Sequence, residues 1–422
     1  KAKIKPKGTD VELDEPRVER WDDVEYSPND SFRQSSSLFL VLGRFLCCIP
    51  LNHDEFRWSN FWVILSITAI ICNILMAILS IIWLQKSGVT IFKGGKVTHH
   101  LRYSRKFIIF IDTGTVIFFG ASSVAMILFV RLSMKWPTLM KRWEIIERYQ
   151  GHRKYLHYKF NIVTLFIVVI TFLEHISFLI TGLLTVNQDS EEILKHYCLL
   201  KFPQVFTLIQ FRLWYAFPIL ILNMFATLTF SFVDQLVIMF SIGLNDFFEE
   251  LNQRIGQERK QKLLPQQWKT FRSDYTRLCN LVLAVDDCIC HLLFSTFALH
   301  LFTICIELHL SMMMSADREE KVQVIFTFII AGAQACALCY FTVKVHDQSR
   351  SPLNALYAVP SISYCQEVEI FTLQVLRSHV SLTGSHIFSM TRRLLLTVCT
   401  HLDFSAVRSS TVREAGKAIQ PK

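Results

Sequence analysis

The residues of this chain with chemistry to offer are polar side chains that recur at helical spacing inside apolar sequence. Asp112, Thr115 and Phe119 follow one another by three and four, as do Glu174, Ser177 and Thr181, with His175 alongside. His300, Thr303 and Glu307 repeat the pattern, Thr327 and Gln334 stand seven apart, and Arg212, Trp214 and Tyr215 open another apolar run. Spacings of three, four or seven place side chains on one stripe of a helix. Carboxylates and amides exchange hydrogen bonds with the hydroxyls of a small molecule, and aromatic rings cover its apolar C–H faces. Polar groups are costly inside a membrane and are therefore the first functional candidates there. The candidate ligand-binding residues are Asp112, Glu174, His175, Arg212, Trp214, Tyr215, His300 and Glu307. A structural alternative stands beside this one: Arg212 pairs with Glu174 or Asp112 to hold helices together, and a lone His or Thr bonds to backbone.

Other chemistry is missing from the sequence. It contains no phosphate-binding Walker loop, dinucleotide fingerprint, nucleophile elbow or His-Glu-x-x-His helix. Cys336 and Cys339 have metal-ligand spacing but no second pair, and packing explains them better than zinc. Asp286-Asp287 is a pair of carboxylates without further catalytic groups. The chain reads as neither an enzyme nor a metal or cofactor protein.

The elements that must position the candidates are membrane helices. Of 422 residues, 51% are hydrophobic and 19% charged, the mean hydropathy is +0.34, and Phe is abundant (35) while Gly (14) and Pro (11) are few. A helix needs about 20 apolar residues to cross a bilayer. Six stretches qualify: 61–84, 107–130, 162–186, 213–242, 289–312 and 322–343. The helical reading follows because backbone polar groups in lipid need partners within their own segment. Basic residues set the direction. Of the 44 Lys and Arg, 33 lie before the first span, in the second and fourth connections, and after the sixth span, while 11 lie in the alternate connections. This places the N-terminus in the cytosol, opposite to G-protein-coupled receptors. The net charge of +9 then reflects basic flanks facing anionic lipid rather than nucleic acid.

The fold class is an all-α polytopic membrane protein with six clear transmembrane helices. Residues 1–60 form a cytosolic N-terminal segment, 61–343 the transmembrane domain, 344–400 a cytosolic amphipathic segment leading to an incomplete seventh helix, and 401–422 a divergent polar tail. The first 35 or so residues are polar, of mixed charge, and expected to be disordered. No signal peptide is visible, and a first residue of Lys rather than Met points to an incomplete or processed N-terminus. Twelve cysteines form no disulfide framework, since only Cys198 falls in a predicted outer loop. Residues 245–277 read as helical continuations of spans four and five with a solvated charged face. Beyond span six, 364–380 reads as an amphipathic helix with Val368, Phe371, Leu373 and Val375 among its apolar residues, too charged to span.

Four regions resemble the insect gustatory receptor family, in its sugar-sensing branch. They are Gly43-Arg44-Phe45 through Pro50 with Phe56-Arg57-Trp58; Leu244-Asn245-Asp246-Phe247-Phe248 with Leu251-Asn252-Gln253-Arg254; Leu281-Val282 through Asp286 with Ser295-Thr296-Phe297; and the block from Ser351 to Thr400. That last block carries Val359-Pro360-Ser361, Glu367, Phe371, Ser381-Leu382-Thr383-Gly384, Phe388 and Thr391-Arg392. The resemblance implies seven helices, a cytosolic N-terminus, a plasma-membrane location and assembly as a homo- or hetero-tetramer with other gustatory receptors into a sugar-gated cation channel. The small-molecule ligand would be a sugar, and the other partner membrane lipid. Insect odorant receptors are the nearest alternative family. The family's hydrophobic seventh helix is not matched: the apolar run Leu394-Leu395-Leu396-Thr397-Val398-Cys399 is too short to cross about 30 Å of hydrocarbon, and polar, basic sequence follows it. A non-conducting truncated or regulatory subunit is therefore a second expectation. A six-helix transporter ranks last, because spans one to three and four to six show no paired pattern of helix breakers.

The orientation is directly testable. The one glycosylation sequon, Asn29-Asp30-Ser31, lies on the cytosolic side and should stay unmodified. Glycosidase treatment of the expressed chain should leave its gel mobility unchanged, and a shift lost in Asn29→Gln would reverse the topology.

Overall fold

The computed structural model describes residues 31–400 apart from 52–55, 57–59, 94–98, 151–155, 185–192, 260–262, 314–317, 395 and 398–399. The expectations for residues before Ser31, for Leu395, Val398 and Cys399 of the short apolar run, and for the tail 401–422 lie outside the described residues. The fold is all-α, as expected. Two short helices come first, α1 (Phe32–Ser35) and α2 (Ser37–Phe45), and then the long α3 (Phe61–Lys93), α4 (His99–Gln150) and α5 (Leu156–Leu184). After α6 (Ile193–Lys201) and α7 (Pro203–Phe206) come α8 (Leu213–Glu258), α9 (Pro265–Met313) and α10 (Arg318–Arg350). Next come α11 (Pro352–Tyr357), a 3₁₀ turn (Ser361–Ser363), α12 (Gln366–Arg377) and a hairpin of β1 (Thr383–Gly384) and β2 (Phe388–Ser389).

Among the described residues, six helices are long and apolar enough to cross a membrane: α3, α4, α5, α8, α9 and α10. The spans inferred from apolar length lie within them, except that residues 185–186 of the third fall outside the described residues, but three helices run far past the bilayer. At 1.5 Å per residue, α4, α8 and α9 are each about 70–80 Å long, more than twice the hydrocarbon thickness. For α8 and α9 this extension was expected from residues 245–277; for α4 it was not.

The helices differ in what surrounds them. α3 exposes Ile64, Ile67, Ile71, Ile74, Leu75 and Ile78, the surface of a helix facing lipid. α8 is the central post, with every residue from Thr229 to Asn245 buried. It packs against α4, α5, α9 and α10. The end of the bundle where α8 turns into α9 is called the base below.

Aromatic residues fill the base. Phe32 lies 4.2 Å from the Trp143 ring, stacks on Phe240 at 5.4 Å and meets Phe160 edge-on at 5.3 Å. Its backbone N–H donates to Glu147 Oε1 at 2.8 Å. This corrects the expectation of disorder for residues 32–35: one aromatic side chain in a polar stretch is enough to seat the segment in an aromatic pocket. Phe39 stacks on Phe232 at 4.1 Å. A Cβ on Gly43 would come within 2.5 Å of that Phe232 ring, so the position admits no side chain without displacing it.

Two of the sequence blocks that carry the family resemblance pack against neighbouring helices at the base. Asn252 donates to Gln348 O at 3.0 Å, and Arg254 and Arg277 both pair with Asp274. Leu251, Ile255 and Leu263 are buried in this connection and Leu264 is exposed, so it is packed rather than merely solvated. On α12, Val368, Phe371 and Val375 share one stripe and are buried, while Leu373 falls off the stripe and is exposed. Phe371 meets Tyr275 at 5.5 Å, and Arg272 pairs with Glu367 at 3.1 Å. Pro360 is exposed and starts the 3₁₀ turn. Arg392, just after the half-buried Thr391, pairs with Asp347 at 2.7 Å.

The hairpin is latched to α9 by Asp286. One carboxylate oxygen accepts the Thr383 N–H and the other the Thr383 hydroxyl, both at 2.7 Å, and His386 Nδ1 approaches to 3.6 Å. The Ser385 N–H donates to Cys290 O at 3.0 Å. Phe388 folds back over Gly384 and packs on Phe297 at 5.3 Å. A Cβ at Gly384 would lie 2.3 Å from the Phe388 ring, which is why a glycine stands there. Asp286→Ala would leave the part-buried Thr383 N–H without its acceptor, at about 1–3 kcal/mol. The purified protein should melt several degrees lower, and Gly384→Val should reproduce the loss. Unchanged melting in both variants would show that the latch adds nothing to stability.

Candidate functional site

Asp234 is the only charged residue in the apolar run 213–242, and α8 places it inside the bundle, 3% exposed. A carboxylate there must be paired. Oδ1 accepts the Thr296 hydroxyl at 2.6 Å and Oδ2 the His300 Nε2 at 2.9 Å. Thr296 and His300 lie four apart on α9, so one helix face supplies both donors. Glu174 of α5 lies within electrostatic range of His300 and also of Glu307 on α9. Three candidates from the sequence thus form a chain, His300 near Glu174 and Glu174 near Glu307, and His300 is held by a fourth residue that was missed, Asp234.

A second network lies one and two turns along α5 from Glu174. Ser177 donates to Gln323 Oε1 at 2.7 Å and Thr181 to the same atom at 3.2 Å, while Gln323 Nε2 donates to Thr327 at 3.2 Å. Gln323, on α10, joins the predicted stripes of α5 and α10 and was also missed. Its signal was position, an amide four residues before Thr327 at the start of the sixth span. Below Glu174 the seam of α5 and α8 is polar as well: Thr171 donates to Ser231 at 2.7 Å, and Gln235 donates to Thr164 at 2.5 Å.

The other candidates sit elsewhere. Asp112 is half-buried on α4 beside Trp83, its hydrogen-bonding neighbour, and its Oδ2 is a buried oxygen without a partner. His175 is buried on α5. Arg212 caps α8 as an exposed residue and forms no ion pair with Glu174 or Asp112 among the described residues, so the helix-stapling alternative is not realised. Trp214 and Tyr215 follow it on the outside of the bundle, Trp214 84% exposed. The aromatic members of the predicted set therefore stand apart from the carboxylates. Thr303 and Gln334 are half-buried and outside both networks.

Above these networks, α6 and α7 fold over the bundle end opposite the base. Tyr197 and Cys198 of α6 are buried, and Tyr197 packs where a Cβ on Gly182 would approach its ring to 2.5 Å. Burial pushes the Cys198 thiol up to about 11 and the Tyr197 phenol up to about 12. Cys198 stays protonated at neutral pH and, like every cysteine among the described residues, forms no disulfide.

The arrangement offers clustered hydrogen-bonding groups between α5, α8, α9 and α10 in an otherwise apolar bundle. Among the described residues no cluster suited to a metal ion occurs. If Asp234, Thr296 and His300 act as one unit, a double-mutant cycle of Asp234→Asn and His300→Gln should show a coupling of about 1–3 kcal/mol in thermal or denaturant unfolding. Additive effects would mean that the two residues are independent.

Residues 13–403 match the family model described as trehalose receptor. The gustatory receptor for sugar taste 64f of Drosophila melanogaster is 26% identical over 404 residues, covering 91% of this chain and 81% of that protein. Gustatory receptor 5a for trehalose, from the same organism, is 26% identical over 291 residues, covering 67% of this chain and 65%, just under two thirds, of that receptor. The fold is shared with the insect olfactory receptor OR5 from Machilis hrabei, solved in complex with eugenol, with a TM-score of 0.65 at 12% identity over 90% of this chain and 98% of that one. With a receptor-family match over almost its whole length and six membrane-capable helices in this fold, the chain belongs to the trehalose receptor family, a family of multi-pass gustatory receptors and not of enzymes.

Proposed function

We propose that this chain is a sugar-responsive taste receptor subunit of the plasma membrane, its N-terminus in the cytosol, gating a cation conductance in a homo- or hetero-tetramer with other gustatory receptors. The observation that carries the reading is the set of buried and half-buried polar groups between α5, α8, α9 and α10, in a family whose relatives are named for sugar taste and trehalose. Glu174 and Glu307 are two carboxylates within electrostatic range of each other in an apolar bundle. Two carboxyl groups so placed offer hydrogen-bond acceptors, and donors where protonated, to a ligand rich in hydroxyls. Ser177, Thr181 and Gln323 present donors and acceptors on the same side, and Gln323 can exchange its internal hydrogen bonds for those of a sugar. A rearrangement there would pass along α9, which also carries Asp286 and the latch of the hairpin at the base.

A second reading rests on one feature, the six-residue apolar run Leu394–Cys399 that gives way to polar sequence. On that reading the chain binds sugar and modifies conducting relatives.

Expression alone, and together with a relative that has a complete seventh helix, separates the two. Sugar-evoked cation current from the chain alone supports the first reading. Silence alone with a changed sugar response on co-expression supports the second. In whichever setting responds, Glu174→Gln and Ser177→Ala should each raise the half-maximal sugar concentration roughly tenfold, as expected for one lost hydrogen bond to a charged or buried group. Unaltered responses in these variants and in Asp112→Ala would remove the pocket from the proposal.

A further inference from the structure

Three span ends converge at the base. Lys159 precedes the apolar run of α5, Asn245 and Asp246 follow that of α8, and Lys344 follows that of α10. The structure gathers them into one open cleft of about 350 Å³. Its apolar wall is formed by Ile162, Val163, Ile242 and Phe341, and its polar edge by the residues just named. The cleft therefore straddles the boundary between hydrocarbon and headgroup.

The polar edge is incompletely paired. Lys159 Nζ meets Asp246 Oδ2 at 3.0 Å, so those two charges answer each other. Lys344 is half-buried and makes no ion pair or hydrogen bond among the described residues. Asn245 is 3% exposed, lines the cleft, and its Oδ1 is a buried oxygen without a partner. A buried polar atom left unpaired costs about 1–3 kcal/mol, so a group this deep calls for a ligand atom. The oxygen and nitrogen of an amide exchange places by a simple flip, so Asn245 can offer its N–H to an acceptor in the cleft.

We propose that this cleft seats an anionic phospholipid, its phosphate on the Lys344 ammonium and the Asn245 amide and its acyl chain along Ile162, Val163, Ile242 and Phe341. Charge complementarity selects the headgroup, because two lysines face one aspartate and one cation is left over. The apolar wall selects a lipid over a soluble phosphate, which would leave that wall uncovered. The base faces the cytosolic leaflet, rich in anionic lipid, in the orientation given by the basic residues.

The test uses the full chain purified in mild detergent and incubated with an equimolar mixture of phosphatidylserine and phosphatidylcholine, with retained lipid counted by native mass spectrometry. The wild-type chain should retain phosphatidylserine in preference. Lys344→Gln should reduce that preference roughly fivefold, and Lys344→Arg should keep it. Asn245→Leu should also lower retention without lowering the lipid-free melting temperature, an effect that a merely structural asparagine would not give. Equal retention of the two lipids by the wild type, or an unchanged preference in Lys344→Gln, overturns the proposal. So does displacement of phosphatidylserine by millimolar inorganic phosphate, which would mark a soluble-anion site. Should Lys344→Gln fail to fold, the wild-type comparison and the phosphate competition decide the matter.

Discussion

A polar side chain carried into hydrocarbon has to find its hydrogen-bond partner within the protein, and α8 is where this molecule meets that requirement. One helix brings Thr229, Ser231, Asp234 and Gln235 into the centre of the bundle, all buried. Its neighbours are then constrained in rotation. α9 must turn Thr296 and His300 toward Asp234, and α5 must turn Thr164 and Thr171 toward Gln235 and Ser231. Apolar packing alone would tolerate several rotations of these helices, since lipid and Leu side chains are equally apolar. The polar pairs select one.

The base is held differently. Its helices continue beyond the bilayer thickness, and the hydrophobic effect acts on them as in a soluble protein. Aromatic rings from α1, α2, α4, α5 and α8 close against one another, while α12 lays an apolar stripe on α9. The Asp286 latch fastens the hairpin to α9, the helix that carries His300 and Glu307 higher up. Polar network and latch thus share one continuous helix, a physical connection between the middle of the bundle and the segment that leads onward to residues 392–400.

Much of the fold was legible in the residues. Apolar length locates the six spans, and the stripe of Val368, Phe371 and Val375 identifies α12. The seat of Phe32 was not legible, because a lone aromatic in a polar stretch has no periodicity and its pocket is assembled from α4, α5 and α8. Nor was the hairpin, since strands of two residues leave no pattern; Thr383, Gly384 and Phe388 stood out only as motif positions, and the partners that explain them, Asp286 and Phe297, lie more than 90 residues away.

For the candidate site the division has the same cause. Composition, apolar length and the distribution of Lys and Arg settle that this is a membrane helical bundle, and residue type with helical spacing nominates Glu174, His300 and Glu307. Those are properties of single segments, fixed by a 3.6-residue repeat and the thickness of a bilayer. Which nominees meet is a property of how helices distant in sequence are rotated against one another. Only the tertiary structure joins Asp234 to His300 and Gln323 to Ser177, and leaves Arg212 and Trp214 outside. A helix's own pattern names its polar face, but the partner of that face belongs to another helix.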